Sequence, residues 1–382
     1  MFQYDGITRE LFIKEGGDML KTPFVLPKLP PKVNYTNLIK EIGLANNSIG
    51  QLSGLLVNIP NPDLLTTPLL TKEAVLSSRI EGTQATLDDV FRYEAEEKIS
   101  EEGAKEKDIR EIINYRKAMS LAIDELKNRP LGENLLKKIH FCLLTSVRGA
   151  DKDRGNIRRA PVYIGLPGTP IEEAIYIPPP ITELPSLLSN WEKYINSESE
   201  KDLLVQIGIA HYQFEAIHPF MDGNGRIGRL LIPLFLYQRK YLSYPLLYLS
   251  EFFEKNRKDY YDLLNRVSEK GDWENWIRFF LIALTTQSLK TQNTVLKILG
   301  LYNNLKGKTT AINSIYAINL LDLIFAKPII SFTNIKKCIK TGSNQTIYNL
   351  LKKLVKIGIL KEVSGRKRNR IYVFQQLMDI LE

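Results

Sequence analysis

Apolar side chains recur at helical spacing in two segments that flank one short polar run. Residues 203–217 are apolar on every turn, which predicts a buried helix. Pro219 disfavours helical geometry in the residue before it, so this helix is predicted to end there. Residues 226–238 show the same spacing and predict a second helix. The two helices therefore meet at a polar turn, residues 218–225.

This polar turn has the composition of a phosphate site. Gly223 and Gly225 allow positive φ and a close approach of the backbone to an anion. The free N–H groups and the dipole of the second helix point into the turn, which favours bound phosphate. Arg226 and Arg229 are three residues apart, so both side chains can reach the same polyphosphate.

Two further side chains of the turn bring chemistry to the phosphate site. A histidine such as His218 can take the proton of an attacking hydroxyl near neutral pH. A carboxylate beside polyphosphate, here Asp222, most often holds Mg²⁺. A lone Gly-Asn-Gly or His-Pro is more often structural than functional, but their combination at fixed spacing favours a site.

The run from His218 to Arg229, HPFMDGNGRIGR, resembles the signature of the Fic family, HPFxDGNGRxxR, at every fixed position. Members of that family mostly transfer AMP from ATP to protein hydroxyls. The resemblance implies a mainly α fold, a Fic-like helical catalytic domain with ATP as substrate and Mg²⁺ as cofactor. It assigns the general base to His218 and the metal to Asp222. It assigns nucleotide binding to Glu81, Gly223, Asn224, Gly225, Arg226, Ile227, Gly228 and Arg229.

A second motif precedes the signature. Residues 69–82 predict a helix that ends at Gly82, a natural C′ residue. Ser77 and Glu81 are four residues apart and share a face. Alone this is an ordinary helix end, but it resembles the family's inhibitory motif, [S/T]xxxE[G/N]. The resemblance implies that Ser77, Glu81 and Gly82 form an N-terminal inhibitory element, in which Glu81 pairs with Arg229 and withholds it from the γ-phosphate.

A hairpin is predicted between the two motifs. Residues 162–164 and 174–177 favour β-structure, and three consecutive prolines stop the second strand. A two-stranded ribbon with an exposed edge can bind an extended segment by strand addition. The residues alone fit a merely structural hairpin equally well. The resemblance favours a flap, about residues 160–177, that docks an unknown target protein.

Two weaker patterns lie on either side of the signature. Residues 248–261 resemble the stretch that lines the adenine and ribose side in the family, and Asn256 is the nucleotide-binding candidate there. An amphipathic helix without that role is the alternative. Arg154, Arg158 and Arg159 are predicted to be solvated in a loop, with contact to an acidic target surface as the alternative.

The excess positive charge is concentrated at the C-terminal end. Residues 301–382 contain 14 Lys and Arg against 4 Asp and Glu, a net charge of +10, whereas the whole chain carries +9. Helices are predicted at 311–325, 333–339 and 344–357, and strands at 359–363 and 371–374. This order resembles a winged helix-turn-helix.

On that interpretation one helix face would enter the major groove of DNA and the basic loop between the strands would contact phosphates. A fold used for protein contact, with its charge merely solvated, is the alternative that the sequence leaves open. The groove-facing candidates are Asn344, Gln345, Thr346, Tyr348 and Asn349, and the phosphate-contacting candidates are Arg366, Lys367, Arg368 and Arg370.

The 382 residues are enough for two or three domains. We predict an N-terminal region at 1–110 with the inhibitory helix at about 70–82, a catalytic domain at 111–295 and a winged-helix domain at 305–382. Two distant cysteines exclude a disulfide framework. No apolar run predicts a signal peptide or a membrane span, so we expect a cytoplasmic protein without a membrane partner.

The predicted function is that of a protein adenylyltransferase restrained by Glu81. Alternatives within the same pocket are removal of AMP from a modified protein and phosphoryl transfer, although family phosphotransferases depart from the motif at the glycines, which are intact here. A different class is a nucleotide-sensing, DNA-binding regulator. Association with a second copy of the chain stays open.

Overall fold

The computed structural model describes residues 23–57, 59, 61–96, 103–147, 149, 152–165, 170–310, 312, 314–339, 343–366 and 369–382. Within these residues the chain is mainly helical with one small sheet, which confirms the predicted fold class. The α-helices are α1 (Ile39–Val57), α2 (Asp63–Ile80), α3 (Leu87–Glu96), α4 (Ala104–Leu126), α5 (Glu133–Leu143), α6 (Leu184–Ile195), α7 (Leu203–Ile217), α8 (Asn224–Gln238), α9 (Ser250–Lys255), α10 (Arg257–Lys270), α11 (Trp273–Thr310), α12 (Ala317–Ala326), α13 (Phe332–Cys338), α14 (Asn344–Lys356) and α15 (Gln375–Leu381). The strands are β1 (Ile329–Ser331), β2 (Lys361–Glu362) and β3 (Ile371–Val373), and short 3-10 helices lie at Tyr35–Leu38, Ile171–Glu173 and Ile181–Glu183.

Helix α7 lies in the centre of the helical core. Most of its side chains are apolar, and every residue except Glu215 is buried. Helices α6, α8 and α11 pack around it. Asp202 caps its N-terminus by accepting hydrogen bonds from the N–H groups of Leu204 and Val205. The helix has the predicted bounds because this cap and the proline after His218 fix both ends.

Helix α8 begins at Asn224, two residues earlier than predicted. Gly223 precedes it with a φ of 77°. The Asn224 side chain accepts a hydrogen bond from the Phe220 N–H at 2.9 Å and donates one to the Phe220 carbonyl at 2.8 Å. These two bonds fold the turn back onto the start of α8, so the helix begins earlier.

Helix α2 begins at Asp63, six residues before the predicted start. The Asn61 side chain accepts a hydrogen bond from the Asp63 N–H, and Pro62 suits the start of a helix. The predicted end is confirmed, because Gly82 follows the last turn with a φ of 98°. Helix α2 packs against α4 and α9.

The predicted hairpin is present but shorter than expected. Ile164 and Tyr176 form a single antiparallel bridge, with N–H to carbonyl distances of 2.8 and 3.1 Å. The predicted strands at 162–164 and 174–177 are therefore corrected to one bridge, while residues 166–169 lie outside the described part of the chain. Prolines flank both segments and lack the N–H group that a longer ladder requires.

Residues 314–382 are here called the C-terminal region. The described part of this region forms four helices and the antiparallel sheet β1–β3–β2. Strand β1 and helix α15 were not predicted, and the helix expected at 311–325 begins at Ala317. Strand β1 is only three residues long and wholly buried, so it shows no alternation in the sequence. The winged-helix assignment stays a prediction.

Helix α11 is 38 residues long and runs through positions 296–304, between the predicted catalytic and C-terminal domains. The domain limits stay a prediction. Helix α12 packs against α11 and α2, so the C-terminal region contacts the helix that carries Ser77. Among the described helices, none is long and apolar enough to cross a membrane.

Candidate active site

His218 lies where α7 ends, in a left-handed conformation with φ 49° and ψ 62°. This conformation is uncommon outside glycine and is kept only where surrounding contacts enforce it. The His218 N–H bonds the Phe214 carbonyl at 3.1 Å, and Nδ1 lies 3.2 Å from the Glu215 carbonyl. Because a carbonyl only accepts, Nδ1 carries the proton and Nε2 is the basic nitrogen. The ring is thus held in the tautomer that a general base needs.

Arg158 holds the His218 turn from the other side. Its Nε donates to the His218 carbonyl at 2.9 Å and its Nη2 to the Pro179 carbonyl at 2.5 Å. Arg158 is only 2% exposed, and burial lowers its pKa to about 10. The prediction of a solvated loop residue is therefore wrong for Arg158, whereas Arg159, with 81% side-chain exposure, fits it.

The protonation of His218 follows from its burial. Burial lowers its pKa to about 4, and the nearby Arg158 guanidinium acts in the same direction. The two other histidines, His140 and His211, are also buried, and burial lowers their pKa values to about 4 and about 3. All three rings are therefore neutral near pH 7, which is the form in which His218 can accept a proton.

The polar turn, residues 218–225, forms a cradle at the start of α8. Asp222 and Gly223 lie at its edge. Asp222 Oδ1 accepts a hydrogen bond from the Gly223 N–H at 2.6 Å, and Lys152 Nζ lies 3.8 Å from Asp222 Oδ2. Among the described residues no side chain caps the N-terminus of α8, and the first N–H groups of a helix have no intrahelical partners. A partly exposed carboxylate is a ligand that Mg²⁺ uses together with phosphate oxygens. The N–H groups beside it can bind the phosphates. The described residues contain no cluster of three or more His, Cys, Asp or Glu that could hold a metal ion.

Arg229 and Glu81 are brought together across 148 positions of sequence. Arg229 Nη2 lies 2.6 Å from Glu81 Oε1, and Nε donates to Ser77 Oγ at 2.9 Å. Arg229 Nη2 also donates to the Ser77 carbonyl at 2.9 Å. Although burial opposes its charge, the Glu81 carboxylate raises the pKa of Arg229 above its usual value. A Cβ atom on Gly225 would lie 2.4 Å from Glu81 Oε1, so only glycine leaves room for this pair.

Arg226 is paired as well, but with a residue that was not predicted. Its Nη1 lies 3.0 Å from Glu111 Oε2 on α4, and both side chains are at most 3% exposed. Its Nη2 lies 3.4 Å from Asp222 Oδ1. Thr83 Oγ1 donates to the same Glu111 oxygen at 3.3 Å. Arg226 thus positions Asp222 and ties the start of α8 to α4 and to the residue that follows Gly82.

The remaining predicted residues are placed less directly. Ile227 is fully buried, and a Cβ atom on Gly228 would lie 2.1 Å from Glu215 Oε1, so both face the interior. Asn256 donates its side-chain N–H to the Phe252 carbonyl one turn back, at the junction of α9 and α10. The Asn256 side chain is therefore hydrogen-bonded to the chain one turn before it.

A cavity of about 140 Å³ lies between the hairpin, α7 and α10. Its polar lining includes Glu215 and Asn265, whose buried Oε1 and Oδ1 atoms have no hydrogen-bond partner among the described residues. Burial raises the pKa of Glu215 to about 8, while the Arg229 charge opposes this. Tyr261 and Ile164 contribute apolar walls.

Sequence reasoning assigned Arg158 to a solvated loop and did not single out Glu111, Glu215 or Asn265. Arg158 stands among basic loop residues and Glu111 among the alternating charges of α4, so neither differs locally from a solvated neighbour. Their burial results from packing against segments far along the chain.

Two family models match adjoining parts of the chain. Residues 39–124 match the model described as Fic/DOC family N-terminal, and residues 130–236 match the model described as Fic/DOC family. Together they cover just over half of the chain. The first match contains Ser77 and Glu81, and the second contains the whole run from His218 to Arg229.

Curated relatives match over shorter stretches. The chain is 32% identical over 127 residues to Protein adenylyltransferase Fic of Drosophila grimshawi, which covers 33% of this chain and 23% of that protein. The protein of the same name from Drosophila erecta is 33% identical over 190 residues, covering 44% and 35%. The match thus spans about a quarter to a third of the length of these relatives.

Among solved structures the chain is similar to a Fic family protein from Desulfovibrio desulfuricans G20. The TM-score is 0.59 at 20% sequence identity, and the match covers 90% of this chain and 98% of that one. At this identity the likeness concerns the fold.

Proposed function

This chain belongs to the Fic/DOC family, and on that premise we propose that it transfers AMP from ATP to hydroxyl groups of target proteins. The observation that carries the proposal is the meeting of a basic histidine nitrogen, a carboxylate, a glycine cradle and two arginines at the junction of α7 and α8. The similarity to proteins called protein adenylyltransferase Fic supports it.

In the proposed reaction His218 is the general base. Its Nε2 takes the proton of a target Ser, Thr or Tyr hydroxyl, because Nδ1 is bonded to the Glu215 carbonyl. The hydroxyl oxygen forms a bond to the α-phosphorus as the bond from this phosphorus to the bridging oxygen of the β-phosphate breaks. Pyrophosphate is the leaving group, and the N-terminus of α8 binds its charge.

Asp222 is the residue that would hold Mg²⁺. The ion would neutralise charge on the phosphate oxygens when bound. Independently of the ion, Arg226 and the Gly223 N–H fix the orientation of the Asp222 carboxylate. The Asn224 side chain fixes the turn through Phe220, which keeps the backbone of the cradle in place.

The cavity beside the hairpin is the proposed site for the base. Tyr261 supplies an aromatic surface, and the buried Asn265 Oδ1 can accept a hydrogen bond from an exocyclic amine such as that of adenine. This proposal replaces Asn256 with Asn265 as the base-contacting residue. The bridge between Ile164 and Tyr176 closes the cavity, and its edge is the proposed docking place for the target segment.

Glu81 is proposed to restrain the transfer. In the Arg229 guanidinium, Nε donates to Ser77, and Nη2 donates to Ser77 and Glu81. While these bonds are made, the two donors cannot bind the γ-phosphate. Release requires α2 or its last turn to move away from α8. Substitution of Glu81 with glycine removes the competing carboxylate without adding bulk.

Labelling from α-³²P-ATP with Mg²⁺ tests the proposal. Wild type, Glu81→Gly, and Glu81→Gly combined with His218→Ala are compared for label on the protein itself and on lysate proteins. We expect strong label with Glu81→Gly, weak label in wild type and none in the double variant. Absence of label in all three contradicts AMP transfer, and loss of pre-attached label on adding wild type would favour AMP removal instead.

For the C-terminal region we propose contact with nucleic acid. Asn344, Gln345, Tyr348 and Asn349 are exposed along one side of α14, and Arg366 and Arg370 are exposed near β3. Exposed polar side chains beside exposed arginines suit base and phosphate contacts. Lys367 and Arg368, also predicted as phosphate contacts, lie outside the described residues. A mobility shift with duplex DNA at two salt concentrations tests this.

A further inference from the structure

Glu73 in α2 is a second buried acidic residue besides Glu81, and its deep burial requires a physical explanation. Glu73 is 2% exposed and lies eight residues before Glu81. Charged side chains are almost never fully buried unless they are paired. No salt bridge to Glu73 occurs among the described residues, so its hydrogen bonds must account for its position.

Glu73 joins α2 to two other helices. Its Oε1 accepts a hydrogen bond from Ser250 Oγ of α9 at 2.5 Å and another from Tyr115 Oη of α4 at 3.2 Å. Ser250 and Tyr115 are themselves fully buried. Oε2 is buried and has no hydrogen-bond partner within the described part of the chain, and Glu73 is among the residues that line a cavity of about 40 Å³. The carboxyl group is thus fixed on one oxygen only.

The spacing along α2 connects these bonds to the restraint. Glu73, Ser77 and Glu81 follow at intervals of four residues, so they lie on one side of successive turns. Ser77 and Glu81 bind Arg229, while Glu73 binds α4 and α9. A rigid helix transmits the position of one turn to the next.

We propose that Glu73 is a positioning residue, the anchor that holds α2 where Ser77 and Glu81 reach Arg229. The inference rests on the restraint proposed above. It places the fixed point of the restraint about one turn before Ser77 and two turns before Glu81, the two residues that bind Arg229. Thr83, bonded to Glu111, holds the chain beyond Gly82, so the carboxyl end of α2 is tied on both sides.

Oε1 of Glu73 can accept both hydrogen bonds whether the carboxyl group is ionised or neutral, so the anchor does not depend on its charge. Burial raises its pKa to about 7, whereas hydrogen bonding by Ser250 and the charge of Arg229 lower it. A neutral amide at this position keeps an acceptor oxygen for Ser250 and Tyr115. Glu73→Gln therefore preserves the anchor, whereas Glu73→Ala removes it.

The test compares initial rates of label transfer from α-³²P-ATP for the full chain. The variants are Glu73→Ala, Glu73→Gln, Glu81→Gly and the combination of Glu73→Ala with Glu81→Gly. Arg79→Ala is the matched control, because Arg79 lies on the exposed side of the same helix. Hydrogen exchange of the amides in residues 63–82 is measured on the same samples.

We expect Glu73→Ala to raise the wild-type rate roughly tenfold, since it removes two buried hydrogen bonds that favour the restrained position. Glu73→Gln and Arg79→Ala should stay within about twofold of wild type, and the combination should equal Glu81→Gly alone. Exchange in residues 63–82 should be faster in Glu73→Ala and in the combination than in Glu73→Gln and Arg79→Ala. Should Glu73→Ala not fold, Ser250→Ala removes one donor and should raise the rate in the same direction.

Two results separate the inference from the function on which it rests. If Glu81→Gly transfers label while Glu73→Ala behaves as wild type, the anchor is wrong and the proposed function stands. If Glu81→Gly transfers nothing, the proposed function fails and hydrogen exchange decides the anchor alone. In that case faster exchange in Glu73→Ala than in Glu73→Gln supports it, and equal exchange overturns it.

Discussion

The junction of α7 and α8 and the C-terminal region are both rich in charge, but they use it in opposite ways. At the junction Arg226 and Arg229 are buried and paired with carboxylates at 3.0 and 2.6 Å. In the C-terminal region the Arg366–Glu96 pair is 3.5 Å apart and both side chains are partly exposed. Buried pairs have one geometry, whereas solvent screens exposed charges and leaves them mobile. Roles can therefore be proposed for individual atoms at the junction. In the C-terminal region a role can be proposed only for the exposed surface as a whole.

The largest effect is expected at the junction itself. In the Glu81→Gly background, His218→Ala should lower the rate of label transfer by about 10²- to 10⁴-fold, the usual contribution of a general base. The measurement is the initial rate at saturating ATP, with nucleotide affinity as control. A double variant that binds nucleotide normally and still transfers label within tenfold of its parent would remove His218 from the mechanism.

A matched pair of substitutions compares the two regions directly. Glu111→Ala leaves Arg226 buried without its main partner and should lower the free energy of unfolding by about 3 to 5 kcal/mol. Glu96→Ala breaks the exposed pair with Arg366 and should change it by less than about 1 kcal/mol. Urea denaturation measures both. Equal losses would show that burial does not distinguish the two regions as argued.

The pH dependence sharpens the description of the junction. Because burial lowers the pKa of His218 to about 4, the ring stays in its basic form down to pH 6. The rate of Glu81→Gly at low ATP should therefore change by less than about twofold between pH 8 and pH 6. A solvated histidine would lose roughly fourfold over this range. A decline centred near pH 6.5 would place His218 in contact with solvent.

The smallest effect concerns the C-terminal region. If Arg370 contacts a phosphate, Arg370→Ala should weaken DNA binding about equally for all sequences and reduce the slope of log affinity against log salt by about 1. Fluorescence anisotropy at 50 to 200 mM salt measures the slope. Arg159→Ala, an exposed arginine beside the hairpin, is the control. An unchanged slope for Arg370→Ala contradicts a phosphate contact.

Periodicity and local chemistry were sufficient for the elements around the site. Helix α7 has its predicted bounds because its apolar pattern is flanked directly by the cap at Asp202 and, just after its end, by Pro219. Gly82 ends α2 as predicted, because a glycine directly after the last turn is also a local signal. Strand β1 and the short hairpin bridge depend on partners elsewhere in the chain, and the sequence did not indicate their lengths.

The sequence by itself determined that a histidine, a carboxylate, glycines and two arginines stand together, because covalent spacing alone brings neighbours onto one turn. It gave the pairing of Glu81 with Arg229 only through resemblance. Tertiary structure decided which charges are buried and what each one binds: Arg226 with Glu111, Arg158 with the His218 carbonyl, and Glu73 with Ser250. These partners are 60 to 177 positions apart. Contacts at such separation form only when helices pack, and packing removes the water that would otherwise satisfy each polar group.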